Sequence, residues 1–264
     1  MLTYEALIEQ AKLRGMPCTK DRGVLREYLH IVMLKQLYMT DIGKLMFFTG
    51  RTYLRLVHKL KRFSEDLDFN SNEIEQQAFE VLCKKLVMEL RRLGIESMID
   101  FSHWDNILVG RFTFPDIERL FGIVSKHTRK QGLLIKLEVN RPKWEVKTET
   151  EVISGYGEIY PCVCTNKSML FADKIDALVK KKIGRHLFDI IFMLSNKFPI
   201  DHKILKSFGF TQNPLAIIVE RTNSFSKREL KRLAEILRPF LFDEAEVNLI
   251  INAPTIIEKL VQKK

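Results

Sequence analysis

Long apolar runs are missing from this sequence, and cysteines come without partners. No stretch of its 264 residues approaches the roughly 20 consecutive apolar residues of a membrane-spanning helix, so no membrane association is expected. Four cysteines, at positions 18, 83, 162 and 164, are too few and too irregular for a disulfide framework. Cys162-Val-Cys164 lacks both the two-residue gap of a zinc knuckle and a second pair to complete it. Reduced, buried thiols in a cytoplasmic protein are therefore expected. Glycine (12) and proline (8) are sparse, which excludes collagen-like and linker-rich chains. The segment Met1 to Lys12 carries Glu5 and Glu9 in an amphipathic pattern and no apolar core of signal-peptide type, so secretion is not expected. His58, His103, His127, His186 and His202 are scattered without metal-ligand spacing.

What is present is a large apolar fraction, 46%, and an excess of positive charge. Forty-three Lys and Arg stand against 33 Asp and Glu, a formal balance of +10 that favours polyanionic partners. Leu2, Ala6 and Leu7, then Leu25, Leu29, Val32 and Met33, recur at helical spacing and predict two leading helices. Leu45 to Phe48 is a short apolar run that stops at Thr49-Gly50, the pattern of a buried strand entering a tight turn. A helix is expected over 51–60, then a strand over 64–69 that puts Ser64, Asp66 and Asp68 on one face by period two. The polar run Asn70-Ser71-Asn72 predicts the cap of a long helix ending near Leu93-Gly94. Strands are expected over 95–101, 107–114 and 133–140, the last with Glu138 on the polar face beside Lys136 and Asn140. A further strand near 160–164 precedes an almost wholly helical remainder, which places a domain boundary near 165.

The chemistry concentrates between Phe47 and Phe69. A strand, a glycine turn, a helix with free N-terminal amides and a second strand bearing Asp-x-Asp would set an anion site beside a metal site. Carboxylates one residue apart on a strand project in parallel and can share a hard cation such as Mg²⁺ or Mn²⁺. Glu138, on the polar face of its strand, is the candidate third carboxylate. Asp189 lies in the apolar run Leu187 to Leu194, where a bare charge is costly. Arg185 or Lys174 could neutralise it, either as part of a site or as a purely structural ion pair.

The sequence also resembles a known family, the AbiEii-type nucleotidyltransferase toxins, including the MenT-like members, of the DNA polymerase β-like fold. The resemblance lies in Thr49-Gly-Arg-Thr-Tyr-Leu-Arg-Leu56, in Arg62-Phe-Ser-Glu-Asp-Leu-Asp-Phe69, in Lys174-Ile-Asp-Ala-Leu178 and in Arg185-His-Leu-Phe-Asp189. The family pattern is Gly-Gly-Thr/Ser, Arg-x-Ser-x-Asp-x-Asp, Lys-x-x-Ala-Leu and Arg-x-x-x-Asp, in that order. It implies that Asp66 and Asp68 bind metal, to which the strand alternation adds Glu138, and that Gly50 and Thr52 cradle the nucleotide phosphates. It further implies that Lys174 contacts the triphosphate and that Asp189 completes the site. The pattern's second glycine is Arg51 here, which removes glycine's permissive dihedrals and adds a guanidinium able to hold phosphate. Ser64 stands where similar toxins can be phosphorylated during neutralisation; capping the strand start is its other reading.

The expected fold is therefore an α/β (α+β) nucleotidyltransferase-like mixed sheet flanked by helices over 1–165, with a helical domain over 166–264 and the active cleft between them. The expected activity is transfer of a nucleotide from a nucleoside triphosphate to an RNA acceptor such as a tRNA 3′ end, by a toxin with a protein antitoxin. A degenerate nucleotide-, RNA- or antitoxin-binding module and a kinase-like enzyme acting on a protein are the alternatives.

Overall fold

Two helices, α1 (Tyr4–Leu13) and α2 (Asp21–Tyr38), open the chain in this computed structural model, which describes residues 1–123 and 132–262. His127 lies outside the described residues. α1 is capped by Thr3, whose side chain accepts from the Ala6 amide. α2 is buried over most of its length, with Leu25, Leu29, Val32 and Met33 closed to solvent, because it packs against strands on one side and a helix on another. The first of two units, Met1–Thr165, is organised around these helices and one sheet.

After α3 (Asp41–Lys44) the chain runs through β1 (Phe47–Thr49), α4 (Gly50–Leu56), β2 (Leu67–Asn70) and α5 (Gln76–Arg92). It continues through β3 (Met98–Trp104), β4 (Ile107–Phe114), α6 (Ile117–Leu120), β5 (Leu133–Asn140), β6 (Thr148–Gly155) and β7 (Glu158–Thr165). The strands form one seven-stranded mixed sheet in the order β3-β4-β5-β2-β1-β7-β6. β2 lies parallel to β5 and antiparallel to β1, and β1 lies parallel to β7, so the two short strands β1 and β2 occupy the middle. Burial on the sheet explains their apolar residues: Phe48 packs 5.5 Å from Phe69 and 5.8 Å from Tyr53, ring centre to ring centre.

The boundaries differ from the sequence expectations where local chemistry intervenes. α4 ends at Leu56 instead of Leu60, and β2 begins at Leu67, so Ser64, Glu65 and Asp66 form an irregular entry to the strand. Ser71 does not cap α5 directly; its hydroxyl accepts from the amides of Glu73 and Ile74, turning the chain two residues ahead of the helix. Gly94, at φ +77°, ends the helix and lets the Ile95 amide fold back onto the Leu90 carbonyl, which pushes β3 to a start at Met98. β6 was not anticipated. As an edge strand, Thr-Glu-Thr-Glu-Val-Ile-Ser-Gly buries only Ile153, so it lacks the apolar alternation by which strands are read.

The second unit, Asn166–Lys264, is helical in its described residues. It contains α7 (Lys167–Lys180), α8 (Gly184–Ser195), α9 (His202–Ser207), α10 (Pro214–Asn223), α11 (Lys227–Leu237), α12 (Val247–Ile251) and α13 (Ala253–Gln262). α8 is its centre: Leu187, Ile190, Met193 and Leu194 are closed to solvent, and α7, α11, α12 and α13 pack around it. No described helix is long and apolar enough to cross a membrane.

Candidate active site

Three strands meet at Asp68. In register it stands opposite Thr49 of β1 on one side and Glu138 of β5 on the other. Gly50 follows Thr49 with φ +75°, a conformation that side-chain-bearing residues rarely adopt. A Cβ at this position would also overlap the Asp68 carboxylate, so backbone and acid are in direct apposition. The glycine turn and the Asp-x-Asp segment, separated in sequence, thus form one constellation.

Asp66 is held from two directions. The Thr52 hydroxyl donates a short hydrogen bond to its backbone carbonyl, and Arg51 approaches its carboxylate at 3.5 Å. Burial pushes the Asp66 pKa up, and the charge of Asp68 adds to the push, against the pull of Lys136 and Arg51. A carboxylate whose charge is opposed by burial and by a neighbouring acid is the electrostatic condition that a cation relieves. Thr49 Oγ1 and Ser64 Oγ, both buried, have no hydrogen-bond partner among the described residues, and such orphaned atoms beside the two acids fit a site built for an added group.

The cation already nearby is Lys136. Its ammonium donates to Glu138 Oε2 at 2.7 Å. Burial works against its charge, but Glu138, Asp66 and Asp68 together hold its pKa above the ordinary lysine value. Sequence reading put Lys136 on the polar face with Glu138 without giving it a role; the same alternation was the signal that could have included it. Among the described residues no group of three His, Cys, Asp or Glu side chains stands in metal-binding geometry, and Glu138 is engaged by Lys136. Asp66 and Asp68, with Glu138 beside Asp68 in register, offer the hard carboxylate oxygens that suit a divalent ion such as Mg²⁺ or Mn²⁺.

Several predicted site residues have surroundings of their own. Thr52 is closed to solvent and spends its hydroxyl on Asp66, which makes it a prop for the acid in this structure. Arg51, offered by the sequence as a phosphate contact, turns onto Asp66. Ser64 is buried just ahead of β2, not on it. Lys174 and Asp189 belong to the second unit, where their side chains meet at 3.0 Å between α7 and α8, with Asp189 fully buried. The sequence could not reveal His30 and Arg26 of α2. The buried His30 ring lies 3.2 Å from the Glu65 carbonyl and Arg26 lies 3.6 Å from its carboxylate, a backing for the chain beside Asp66 that needs long-range contact. Trp104 is half exposed at the end of β3. His103 is satisfied, by Glu80 at 3.1 Å.

A mixed sheet with a glycine turn packed on an Asp-x-Asp strand defines a nucleotidyltransferase fold, and solved structures share it. The chain is similar to the nucleotidyltransferase toxin MenT4 from Mycobacterium tuberculosis, at TM-score 0.60 and 16% identity over 100% of this chain and 99% of that one. It is also similar to JHP933 from Helicobacter pylori, at TM-score 0.54 and 18% identity over 91% and 92% of the two chains. No curated protein is significantly similar in sequence. The model of the family described as nucleotidyl transferase AbiEii toxin, type IV toxin–antitoxin system, matches residues 33–254. The chain belongs to this AbiEii nucleotidyltransferase toxin family.

Proposed function

We propose that this toxin-family protein is a metal-dependent enzyme that transfers a nucleoside monophosphate from a nucleoside triphosphate to an RNA hydroxyl, such as a tRNA 3′ end, and is restrained by a protein antitoxin. The observation that carries the reading is the contact of Gly50 with Asp68. It leaves backbone, and no side chain, against a carboxylate separated by one residue from a second, whose pKa burial raises. That pairing of an open turn with two acids is what a phosphate chain and its cation require.

In the reaction, a bond forms between the acceptor oxygen and the α-phosphorus, the bond from that phosphorus to the oxygen bridging to the β-phosphate breaks, pyrophosphate departs with the electron pair, and the hydroxyl proton is released to solvent. Divalent metal at Asp66 and Asp68 would supply charge neutralisation for the triphosphate and lower the acidity threshold of the attacking hydroxyl. Thr52 and Arg51 fix the position of Asp66 while charge builds. Lys136 keeps Glu138 oriented and adds a positive charge beside the two aspartates. By family resemblance Lys174 is assigned to the triphosphate, Asp189 to completing the site, and Ser64 to the place where phosphorylation would repel the nucleotide.

The test is to incubate the protein with total RNA, Mg²⁺ or Mn²⁺ and triphosphates labelled at the α or the γ position. Label from the α position in RNA is the expected result, and Asp66→Ala should abolish it, by a factor on the order of 10³ or more. Label from the γ position in protein would replace this reading with phosphoryl transfer. No label at all would favour a binder, the reading that the Arg51–Asp66 pair supports, since it already neutralises one of the two acids.

A further inference from the structure

The positive charge of this protein is unevenly divided. Residues 166–264 carry 18 Lys and Arg against 11 Asp and Glu, while residues 1–165 carry 25 against 22. Within the second unit the excess gathers on α11. Leu230, Leu233, Ala234 and Leu237 bury one side of that helix, which leaves Lys227, Arg228, Lys231 and Arg232 exposed on the other.

The helix's own acids do not balance them. Glu229 is taken by the Ser226 capping box and by Lys182 at 2.9 Å, and Glu235 by Arg238 at 2.7 Å. None of the four exposed cations has an ion-pair partner among the described residues. Glu235 shares the cationic face, but its carboxylate is turned onto Arg238, so the four cations keep an excess of positive charge that no neighbouring acid pairs. Lys227 and Lys231, like Arg228 and Arg232, repeat at one helical turn, about 6 Å along the axis, in two adjacent rows. Two rows of repeating cations, with Ile236 as the single exposed large apolar side chain of the helix, suit a chain of phosphates better than a protein, whose interfaces depend on clusters of buried anchoring side chains.

We propose that the exposed face of α11 is a docking surface for the RNA backbone, holding the acceptor by its phosphates without reading its sequence. The inference rests on the acceptor of the proposed reaction being RNA, and it predicts where affinity, as distinct from chemistry, resides.

Binding of a 5′-labelled RNA hairpin with a single-stranded 3′ tail is measured by fluorescence anisotropy with the full-length protein, in EDTA and without triphosphate. Replacing all four residues together (Lys227→Gln, Arg228→Gln, Lys231→Gln, Arg232→Gln) should weaken binding by at least about tenfold. The slope of log affinity against log salt, taken from about 50 to 200 mM, should become shallower by about 3, as for four lost phosphate contacts. Four exposed cations of α5, replaced as Lys84→Gln, Lys85→Gln, Arg91→Gln and Arg92→Gln, remove the same charge elsewhere and should leave the slope unchanged. Exchanging Lys and Arg at the four α11 positions keeps the charge and should preserve affinity within about threefold, which separates charge loss from damage to the helix. Equal losses from both neutralised sets, or wild-type protein that does not bind the hairpin, would overturn the proposal. So would an α11 set that loses only an acidic polypeptide probe while keeping RNA, because that result identifies a protein partner. Asp66→Ala protein, inactive on the proposed reaction, should bind RNA normally, so a failed transfer assay and a failed docking surface give different results.

Discussion

Gly50 is the position at which the least side chain does the most. Alanine there would have to hold φ near +75° and would press its methyl into the Asp68 carboxylate. Gly50→Ala is expected to lose about 1–3 kcal/mol of stability, read as a fall in the urea midpoint at constant slope. It should also weaken Mn²⁺ binding measured by electron paramagnetic resonance, since the acid has to move. Asp173 on α7 presents a different residue-scale effect. Burial pushes its pKa up to about 7, with neighbouring Lys174 pulling down and Asp176 pushing up. A raised carboxylate pKa means that folding favours the protonated form, so its contribution is present in acid and is lost as pH rises toward about 7. Asp173→Asn should therefore melt like wild type near about pH 4 and above it near about pH 8. The gain should be about 1–2 kcal/mol, less than the full conversion of the shift because the side chain keeps some contact with water. Equal melting differences at both pH values would refute it.

Among the elements, α4 matters because it carries Arg51 and Thr52 and is only seven residues long. So short a helix has little stability of its own and depends on tertiary anchors. Its anchor is an ion cluster in the core. Arg55 donates to Glu27 of α2 at 2.7 and 3.1 Å, and Arg14 approaches the same carboxylate at 2.9 Å. Removing Arg55 leaves the buried Glu27 with Arg14 as its remaining cation and strips it of two hydrogen bonds, so Arg55→Ala should cost about 1–3 kcal/mol in chemical denaturation. A loss under about 1 kcal/mol would show that α4 is held by packing alone. The element scale is also where sequence periodicity was most and least informative. β4 and β5 match their expected ranges because each alternates against a buried face. β6 was silent because an edge strand has little to bury, and the strand expected over 64–69 shortened because Thr52 and His30 hold the backbone at Asp66 and Glu65 from outside the sheet.

At the scale of the whole molecule, all four cysteines are free thiols, and burial pushes the Cys83 thiol well above its usual range. With no crosslink to break, the unfolding midpoint should be the same with and without dithiothreitol; a reductant-dependent shift of several degrees would reveal a disulfide absent here. The charge balance, the two sequence halves of different character and the four spaced motifs were legible before any coordinates, because composition and local spacing are properties of the chain itself. They pointed to the AbiEii family that the match over residues 33–254 establishes. What the chain alone could not settle is which residues neutralise which. Lys136 joining the aspartates, Arg51 turning from phosphate duty onto Asp66, and Thr52 propping a carbonyl are outcomes of register between β2 and β5 and of the turn at Gly50. Such pairings are decided by distances across the fold, where burial strengthens each charge on its neighbour, and no spacing along the sequence encodes those distances.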